Sequence, residues 1–179
     1  MSFLSSPRLI FRTWRESDLP HATALWTDPE VNRFLGGTMS PETVRERLNL
    51  EMERQRKLGI QYWPVFLRSN GTFAGCAGLR PFHDEAGVFE LGVHIARPYW
   101  SMRLGEEAAR AVVEYAFCTV GAIALTAGHN PKHFHSKALI ERLGFRFSHT
   151  EPWGPLDTET PFYRLHHPDP SPSQNQISD

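Results

Sequence analysis

The chain contains 179 residues, enough for one domain that buries roughly 70% of the surface its unfolded chain would expose, without a disulfide framework. Its formal net charge of -1 argues against an extended nucleic-acid-binding face. Because there is no apolar run near 18 residues and no basic-then-apolar N-terminus, we expect neither a membrane span nor a signal peptide, and we predict a cytoplasmic protein.

The two cysteines are predicted to be reduced core residues. Cys76 and Cys118 are isolated in the sequence and flanked by apolar residues. Such a setting is more typical of buried thiols than of a disulfide or a metal pair. This interpretation agrees with a reducing compartment.

The first third of the chain is predicted to form one strand and two helices. Residues 8–14 alternate moderately between apolar and polar side chains, which indicates a strand. Ser17 is a good N-cap for a first helix, which ends near residues 28–29. Ser40, followed by a proline at the first helical position, begins a second helix that Gly59 closes.

A β-hairpin is predicted to follow these helices. Residues 62–68 and 73–82 are strand-like runs joined by a turn that contains Asn-Gly, the strongest short-range hairpin signal. Gly75 and Gly78 lie inside the second run. Glycine within a strand indicates a bend or a close approach of another backbone segment.

The central stretch changes from strand to helix within a few residues. Residues 88–96 are predicted to form a strand with at least one buried face, and Pro98 prevents its continuation. From Leu104, apolar residues recur at the spacing of an amphipathic helix. The first N–H groups of such a helix are unpaired and could bind an anion such as phosphate. The alternative is an ordinary strand and helix of an α/β core.

The last third is predicted to contain a strand, a helix and two final strands. Residues 122–127 have the apolar character of a buried strand, and a helix of about ten residues then ends at Gly144, a suitable C-cap. The final strands and the loop between them are predicted at residues 145–150, 160–166 and 151–159. The order of elements predicts an α/β domain over residues 1–167, with a mixed sheet covered by helices. The polar residues 168–179 are predicted to be disordered.

Three motifs in the central stretch carry a resemblance to a known family. They are Glu90-Leu91-Gly92, Tyr99-Trp100 and Gly105-Glu106-Glu107-Ala108. They resemble the acetyl-CoA-binding segment of the GNAT acetyltransferases, in particular the Rim-like branch, which acetylates protein N-termini. Further motifs of that branch are matched at residues 7–12, 28–31, 130–131, 136 and 143–145.

The resemblance implies the GNAT acyl-CoA N-acyltransferase fold and direct transfer of an acetyl group from acetyl-CoA to a primary amine in a ternary complex. It implies neither a metal nor a covalent enzyme intermediate. The implied acetyl-CoA-binding residues are Val93, His94, Ile95, Trp100, Ser101, Met102, Arg103, Leu104, Gly105, Glu106 and His133.

The acceptor that the resemblance favours is a protein N-terminal α-amine. The alternatives are a small-molecule amine or antibiotic, or a non-catalytic CoA-binding or interaction module. No membrane or nucleic acid is an expected partner. The resemblance leaves open whether the protein is a homodimer, because many relatives form dimers.

Two departures from the family pattern affect the predicted acetyl-CoA site. Ser101, Met102 and Arg103 stand where the family has glycines in its phosphate loop, and Trp100 stands at a Gln/Arg position. Arg103 could substitute charge for backbone proximity by contacting the pyrophosphate or the ribose phosphate, and the other outcome is weak binding. The second departure is His133, which stands where the family asparagine is expected.

The resemblance also implies catalytic roles. Glu90, on the central strand, would accept the amine proton directly or through a water, and partial burial would make it a better base. Its alternative interpretation is an ordinary exposed strand residue. The backbone N–H of Val93 would polarise the thioester carbonyl if the strand splays there. Ser136 stands where Rim-type enzymes carry the residue that protonates the CoA sulfur.

Several other side chains are candidates for the substrate entrance. His129, His133 and His135 fall in one segment, and four-residue spacing would put the first two on one helix face if the helix began early enough. Zinc is not favoured, because no cysteine or acid stands beside them and a proline interrupts the segment. We expect these histidines to line the substrate entrance. Trp153 is predicted to be a substrate-wall residue.

Overall fold

A mixed sheet of eight strands forms the centre of the chain, which the computed structural model describes over residues 3–154 and 157–167. In chain order the strands are β1 (Leu4–Ser5), β2 (Leu9–Phe11), β3 (Tyr62–Leu67), β4 (Phe73–Pro81), β5 (Val88–Ile95), β6 (Ala124–Gly128), β7 (Arg146–Trp153) and β8 (Thr158–His166). They lie in the order β1-β2-β3-β4-β5-β6-β8-β7. Within the described ranges all neighbours are antiparallel except β5 and β6, which are parallel.

Helices connect the strands and cover the sheet. They are α1 (Leu19–Trp26), α2 (Pro29–Asn32), α3 (Pro41–Leu58), α4 (Leu104–Tyr115) and α5 (Phe134–Arg142), with 3-10 turns at Glu16–Asp18 and Arg97–Met102 and a π-helical turn at Ala116–Val120. In the ranges that the structure describes, no helix is long and apolar enough to cross a membrane. The predicted mixed α/β sheet with flanking helices is confirmed.

The two faces of the sheet are covered by different helices. On one face α4 buries its apolar stripe, including Ala108 and Val112, against sheet residues such as Trp63 and Leu79. On the other face α1 and α3 pack on side chains that include Tyr62. This division follows from the strand alternation, because successive side chains of β3 point to opposite faces.

The strands β5 and β6 are paired over only a short stretch. Within the described residues their parallel pairing is limited to Val88–Glu90 against Ala124–Thr126. The strand β5 then continues to Ile95 with pairing to β4 alone. The two central strands therefore part after Glu90, and an opening forms between them at the level of Leu91–Ile95.

Local sequence signals correctly predicted the longest helix. The Ser40 side chain accepts a hydrogen bond of 3.2 Å from the Thr43 backbone N–H, and Gly59 ends α3 with a left-handed φ of 71°. The close approach predicted for two glycines of β4 is also confirmed. A Cβ at Gly75 would lie 2.1 Å from the His94 carbonyl oxygen, and one at Gly78 would lie 2.0 Å from the Gln61 carbonyl oxygen.

The prediction for the start of α1 was wrong. Ser17 lies inside the 3-10 turn that precedes α1 and does not cap the helix. The Asp18 carboxylate instead accepts hydrogen bonds from the Arg15 backbone N–H at 2.9 Å and from the Arg12 guanidinium at 2.6 and 2.7 Å. Because Arg12 follows β2, this ion pair fixes the start of α1 against the sheet.

Other predictions for local structure need correction. Cys76 is buried as predicted, but Cys118 is exposed, because it lies on the outer side of the π-helical turn. The predicted loop at 151–159 is shorter, since β7 extends to Trp153 and β8 begins at Thr158. The first predicted strand is shorter and preceded by β1, and α2 was not predicted. The predicted tail at 168–179 lies outside the described residues.

We predict that Asp18→Asn destabilises the fold by about 1–3 kcal/mol at pH 7, because the variant loses a charge-assisted, mostly buried ion pair. Burial alone would raise the pKa of Asp18, but hydrogen bonds from Arg12 and the Arg15 N–H outweigh burial and lower it below 3.8. The stabilisation is therefore present above pH 3.8 and is lost as the pH falls through the lower folded-state pKa.

Urea unfolding of both proteins at pH 7 and in acid would check this. The difference in free energy of unfolding should narrow in acid, and a constant difference would contradict the role given to the charge. Glu46→Gln, at an exposed position of α3, is the matched control and should change stability by no more than about 0.5 kcal/mol.

Candidate active site

A cleft of about 1150 Å³ opens where β5 and β6 part. One wall is the β5 segment from Glu90 to Ile95, followed by the start of α4. The facing wall is formed by residues 127–143, which include α5. The segment 33–36, which follows α2, and the end of β7 complete the entrance.

The cleft brings together nearly all of the predicted site residues. Those that line it are Glu90, Val93, His94, Ile95, Trp100, Ser101, Arg103, Gly105, Glu106, His133, Ser136 and Trp153. Two predicted residues are not among the lining residues. The Leu104 side chain is 1% exposed within the core, and the Met102 carbonyl oxygen accepts a hydrogen bond from Arg8. The Leu104 side chain therefore faces the core, whereas the Met102 side chain is exposed outside the residues that line the cleft.

Glu90 is not an ordinary exposed strand residue. Its side chain is mostly buried and forms a two-pronged ion pair with Arg80, with distances of 2.7 Å from Nε to Oε2 and 3.0 Å from Nη2 to Oε1. The two residues are register partners on β4 and β5. The pair fixes the orientation of the carboxylate, and each oxygen keeps a further lone pair for another donor.

The Tyr62 ring lies directly over the backbone of Gly92. A Cβ at Gly92 would lie 2.2–2.5 Å from atoms of this ring, so no other residue fits there without moving Tyr62. The Arg80 guanidinium carbon lies 5.4 Å from the centroid of the Tyr62 ring and 5.7 Å from that of the Trp153 ring. Burial raises the pKa of Tyr62, so its phenol is neutral at physiological pH.

His94 presents an uncharged imidazole in the cleft. Burial, together with the positive charges of Arg47 and Arg80, holds the pKa of His94 well below its ordinary value. Its Nδ1 atom is buried and has no hydrogen-bond partner within residues 3–154 and 157–167. The ring meets Tyr62 edge-on at 5.8 Å. A neutral histidine with a free ring nitrogen can accept or donate a single hydrogen bond to a bound molecule.

The start of α4 keeps its positive character despite two acidic residues in the first turn. Glu106 is bonded by Arg110 at 2.8 Å and by Arg142 at 3.2 Å, and Glu107 is bonded by Arg8 at 2.6 Å. Arg103 precedes the helix with a left-handed φ of 56°. No carboxylate pairs with it in the described part of the chain. The first N–H groups of α4 and one free guanidinium therefore lie at this end of the cleft.

The segment before α5 does not arrange its histidines as a helix face. The helix begins at Phe134, so His129 lies outside it and the condition for a shared face is not met. His133 stacks on Phe34 with 4.5 Å between ring centroids. Burial, with smaller effects from His135 and His129, lowers the pKa of His133. The described ranges contain no group of three or more metal-ligating side chains placed around one point.

Among the cleft residues that were not predicted as site residues, four make aromatic or charged contacts with the cleft. They are Phe34, Arg47, Tyr62 and Arg80. The place of Arg80 follows from the hairpin register, because β4 and β5 pair symmetrically around a short loop and put it opposite Glu90. The other three reach the cleft through contacts between elements distant in sequence, for which the local pattern carries no signal.

Comparisons with known proteins agree with this geometry. A family model described as Acetyltransferase (GNAT) domain matches residues 8–146. The uncharacterized protein YkkB of Bacillus subtilis is 28% identical over 127 residues, covering 70% of this chain and 74% of YkkB. A GNAT-family acetyltransferase structure from Bacillus anthracis has a TM-score of 0.78 at 20% identity, covering 91% of this chain and 97% of that chain. RimL, described as a ribosomal L7/L12 alpha-N-protein acetyltransferase in complex with coenzyme A, has a TM-score of 0.77 at 14% identity, covering 93% and 98%.

We predict opposite outcomes for alanine at two cleft glycines. Gly92→Ala should lower the melting temperature by several degrees, because the new methyl group would overlap the Tyr62 ring. Gly105→Ala should leave it unchanged or raise it, since its Cβ would meet Ile95 at an ordinary distance of 3.5 Å and alanine favours the helix. Thermal unfolding of both variants is the measurement. Equal melting temperatures for the two would contradict the packing described for Tyr62.

Proposed function

The chain belongs to the GNAT acetyltransferase family and is an acetyl-CoA-dependent N-acetyltransferase, and we propose that its acceptor is a protein N-terminal α-amine. The observation that carries this proposal is the cleft in which Glu90, held by Arg80, lies beside the open edge of β5. The alpha-N-protein acetyltransferase activity of RimL, whose fold this chain shares, supports the choice of acceptor.

The residues at one end of the cleft fit an acetyl-CoA molecule. The N-terminus of α4 offers N–H groups and the positive end of the helix dipole to phosphate oxygens. Arg103 adds a guanidinium group, which has no carboxylate partner among the residues that the structure describes. The edge of β5 from Leu91 to His94, which pairs with no strand on the cleft side in the described residues, can hydrogen-bond the amides of the pantetheine arm. The Ile95 carbonyl already accepts a hydrogen bond from Trp100 Nε1 at 2.7 Å. Acetyl-CoA supplies the activated acyl group and the thiol that leaves.

Glu90 is the proposed base for the acceptor. An α-amine has a pKa near 7.7 to 8.0, so part of it is already neutral at physiological pH, whereas a lysine amine near 10.4 demands a stronger base. The Glu90 carboxylate would take the proton directly or through a water, while Arg80 keeps it oriented. His94 is the alternative, because it is neutral and has a free ring nitrogen in the same cleft.

The remaining proposed roles belong to Val93 and Ser136. The backbone N–H of Val93 would donate to the thioester oxygen as negative charge develops there during attack by the amine nitrogen. A carbon–nitrogen bond forms as the carbon–sulfur bond breaks. Ser136 would return a proton to the leaving thiolate. Both residues line the cleft, on β5 and on α5 respectively.

The proposal is tested by following the release of free CoA thiol with different acceptors. We expect turnover with short peptides that have a free N-terminus and none with the same peptides after N-terminal acetylation. Turnover only with small amines or aminoglycosides would replace the protein acceptor with the small-molecule alternative. No release of thiol with any amine, despite acetyl-CoA binding, would favour the non-catalytic module.

We predict that Arg103→Ala weakens acetyl-CoA binding about tenfold, because one charge-assisted contact to a phosphate group is lost. Arg103→Gly should weaken binding equally but stabilise the fold by about 1 kcal/mol, since glycine adopts the left-handed backbone at this position without strain. Arg103→Lys should retain most of the affinity. Calorimetric titration and thermal unfolding separate the two effects, and wild-type affinity in Arg103→Ala would rule out the phosphate contact.

We predict that Glu90→Gln lowers kcat by about 10²- to 10⁴-fold, the usual range for loss of a general base, with unchanged acetyl-CoA affinity. Arg80→Gln is the matched comparison and should have a smaller effect on kcat, because the carboxylate remains. His94→Gln tests the alternative base. If His94→Gln loses far more activity than Glu90→Gln, the base assignment must move to the histidine.

A further inference from the structure

Arg47 is a positively charged residue of the cleft without a charged partner. It lies on α3, is half-buried and lines the cleft near Tyr62 and His94. Its guanidinium carbon lies 4.4 Å above the Trp26 ring, and its Nη1 atom contacts the Met39 sulfur at 4.0 Å. Within the described residues, no carboxylate oxygen comes within 4.0 Å of it.

Every acidic side chain that lines the cleft is already engaged by another arginine. Glu90 is paired with Arg80, and Glu106 with both Arg110 and Arg142, while Glu30 lies 4.0 Å from Arg33 at an exposed position. These pairs account for all the carboxylates among the lining residues. The cleft therefore offers no negative charge of its own to Arg47.

The acid that lies one helical turn after Arg47 on α3 is also committed. Glu51 is buried, and its two oxygens accept from the Tyr62 backbone N–H at 2.8 Å and from Arg54 at 3.1 Å. Arg47 is thus a positive charge without a carboxylate partner, because the nearby carboxylates are already bonded to other groups. A partly desolvated charge is unfavourable without a counter-ion, and this argues for a ligand that supplies one.

The location of Arg47 separates it from the acetyl-CoA phosphates. The helix α3 packs on the sheet face opposite to α4, whose N-terminus and Arg103 form the anion-binding end of the cleft. Arg47 instead shares a face with Tyr62, Arg80 and Glu90. A negative group bound there would belong to the acceptor molecule, on the side where its amine is deprotonated.

We propose that the acceptor carries a carboxylate close to its reacting amine and that Arg47 binds this carboxylate. The planar guanidinium fork matches a carboxylate, and one free positive charge matches its single negative charge. This inference rests on the proposed function. With a protein acceptor, it selects N-termini in which an Asp or Glu lies near the first residue.

The test compares amidated peptides that differ only by Asp or Asn at the second or third residue. The wild type should use the better Asp peptide about tenfold or more efficiently in kcat/KM, mainly through KM. Arg47→Gln should bring the Asp-to-Asn ratio of kcat/KM close to one, while Arg47→Lys should retain part of the preference. Arg45→Gln, at an exposed position of the same helix, should keep the wild-type preference.

A wild-type Asp-to-Asn ratio near one at both positions, or an undiminished ratio in Arg47→Gln, overturns the inference. A purely structural role for Arg47 would lower the melting temperature without changing the ratio. If no peptide is acetylated, the proposal of a protein acceptor is wrong. The proposal of an acceptor carboxylate is then tested by comparing acetylation of a free amino acid with acetylation of its amide. Equal use of that pair overturns the inference, and a preference lost in Arg47→Gln supports it. Should Arg47→Gln not fold, the Asp-to-Asn ratio of the wild type still decides whether the enzyme prefers an acceptor with a carboxylate, and a ratio near one overturns the inference.

Discussion

The short pairing between β5 and β6 is the constraint on which the active-site architecture depends. Three residue pairs hold these strands parallel, and beyond Glu90 the strand β5 pairs with no described strand except β4. A sheet paired over its full length would use all its main-chain groups internally. Here the parting leaves backbone groups of β5 available to a ligand, in a cleft that also receives the N-terminus of α4 and the start of α5.

Within this opening, charge and packing are arranged together. The absence of a side chain at Gly92 lets the Tyr62 ring lie on β5, and the ring in turn packs near the guanidinium that orients Glu90. Acidic residues of the cleft have arginine partners, so they add little net negative field. Among the described residues, the arginines of the cleft without a carboxylate partner are Arg47 on one side of the sheet and Arg103 on the other, and Lys132 is a further unpaired cation of the lining. The two arginines suit two negatively charged substrates that meet at β5.

Sequence patterns predicted what is decided locally. The α3 caps at Ser40 and Gly59 and the glycines of β4, where neighbouring backbone approaches closely, follow from turn and strand chemistry within a few residues. The role of Asp18 could not be predicted, because it depends on an arginine that follows a separate strand. The same holds for Arg47, whose sequence surroundings indicate only a solvated helix face. Arg47 reaches the cleft because α3 packs against β3, and no local sequence pattern predicts that packing.

The division of the helices between the two sheet faces has a consequence for how such an enzyme can diversify. The groups proposed to hold the acyl donor come from α4 and its preceding turn, whereas those proposed to recognise the acceptor come from α3 and its side of the sheet. Substitutions on α3 can therefore change acceptor choice while the donor contacts keep their geometry. The acceptor side of the fold can therefore vary while the donor side is kept, and β5 is the boundary between the two sides.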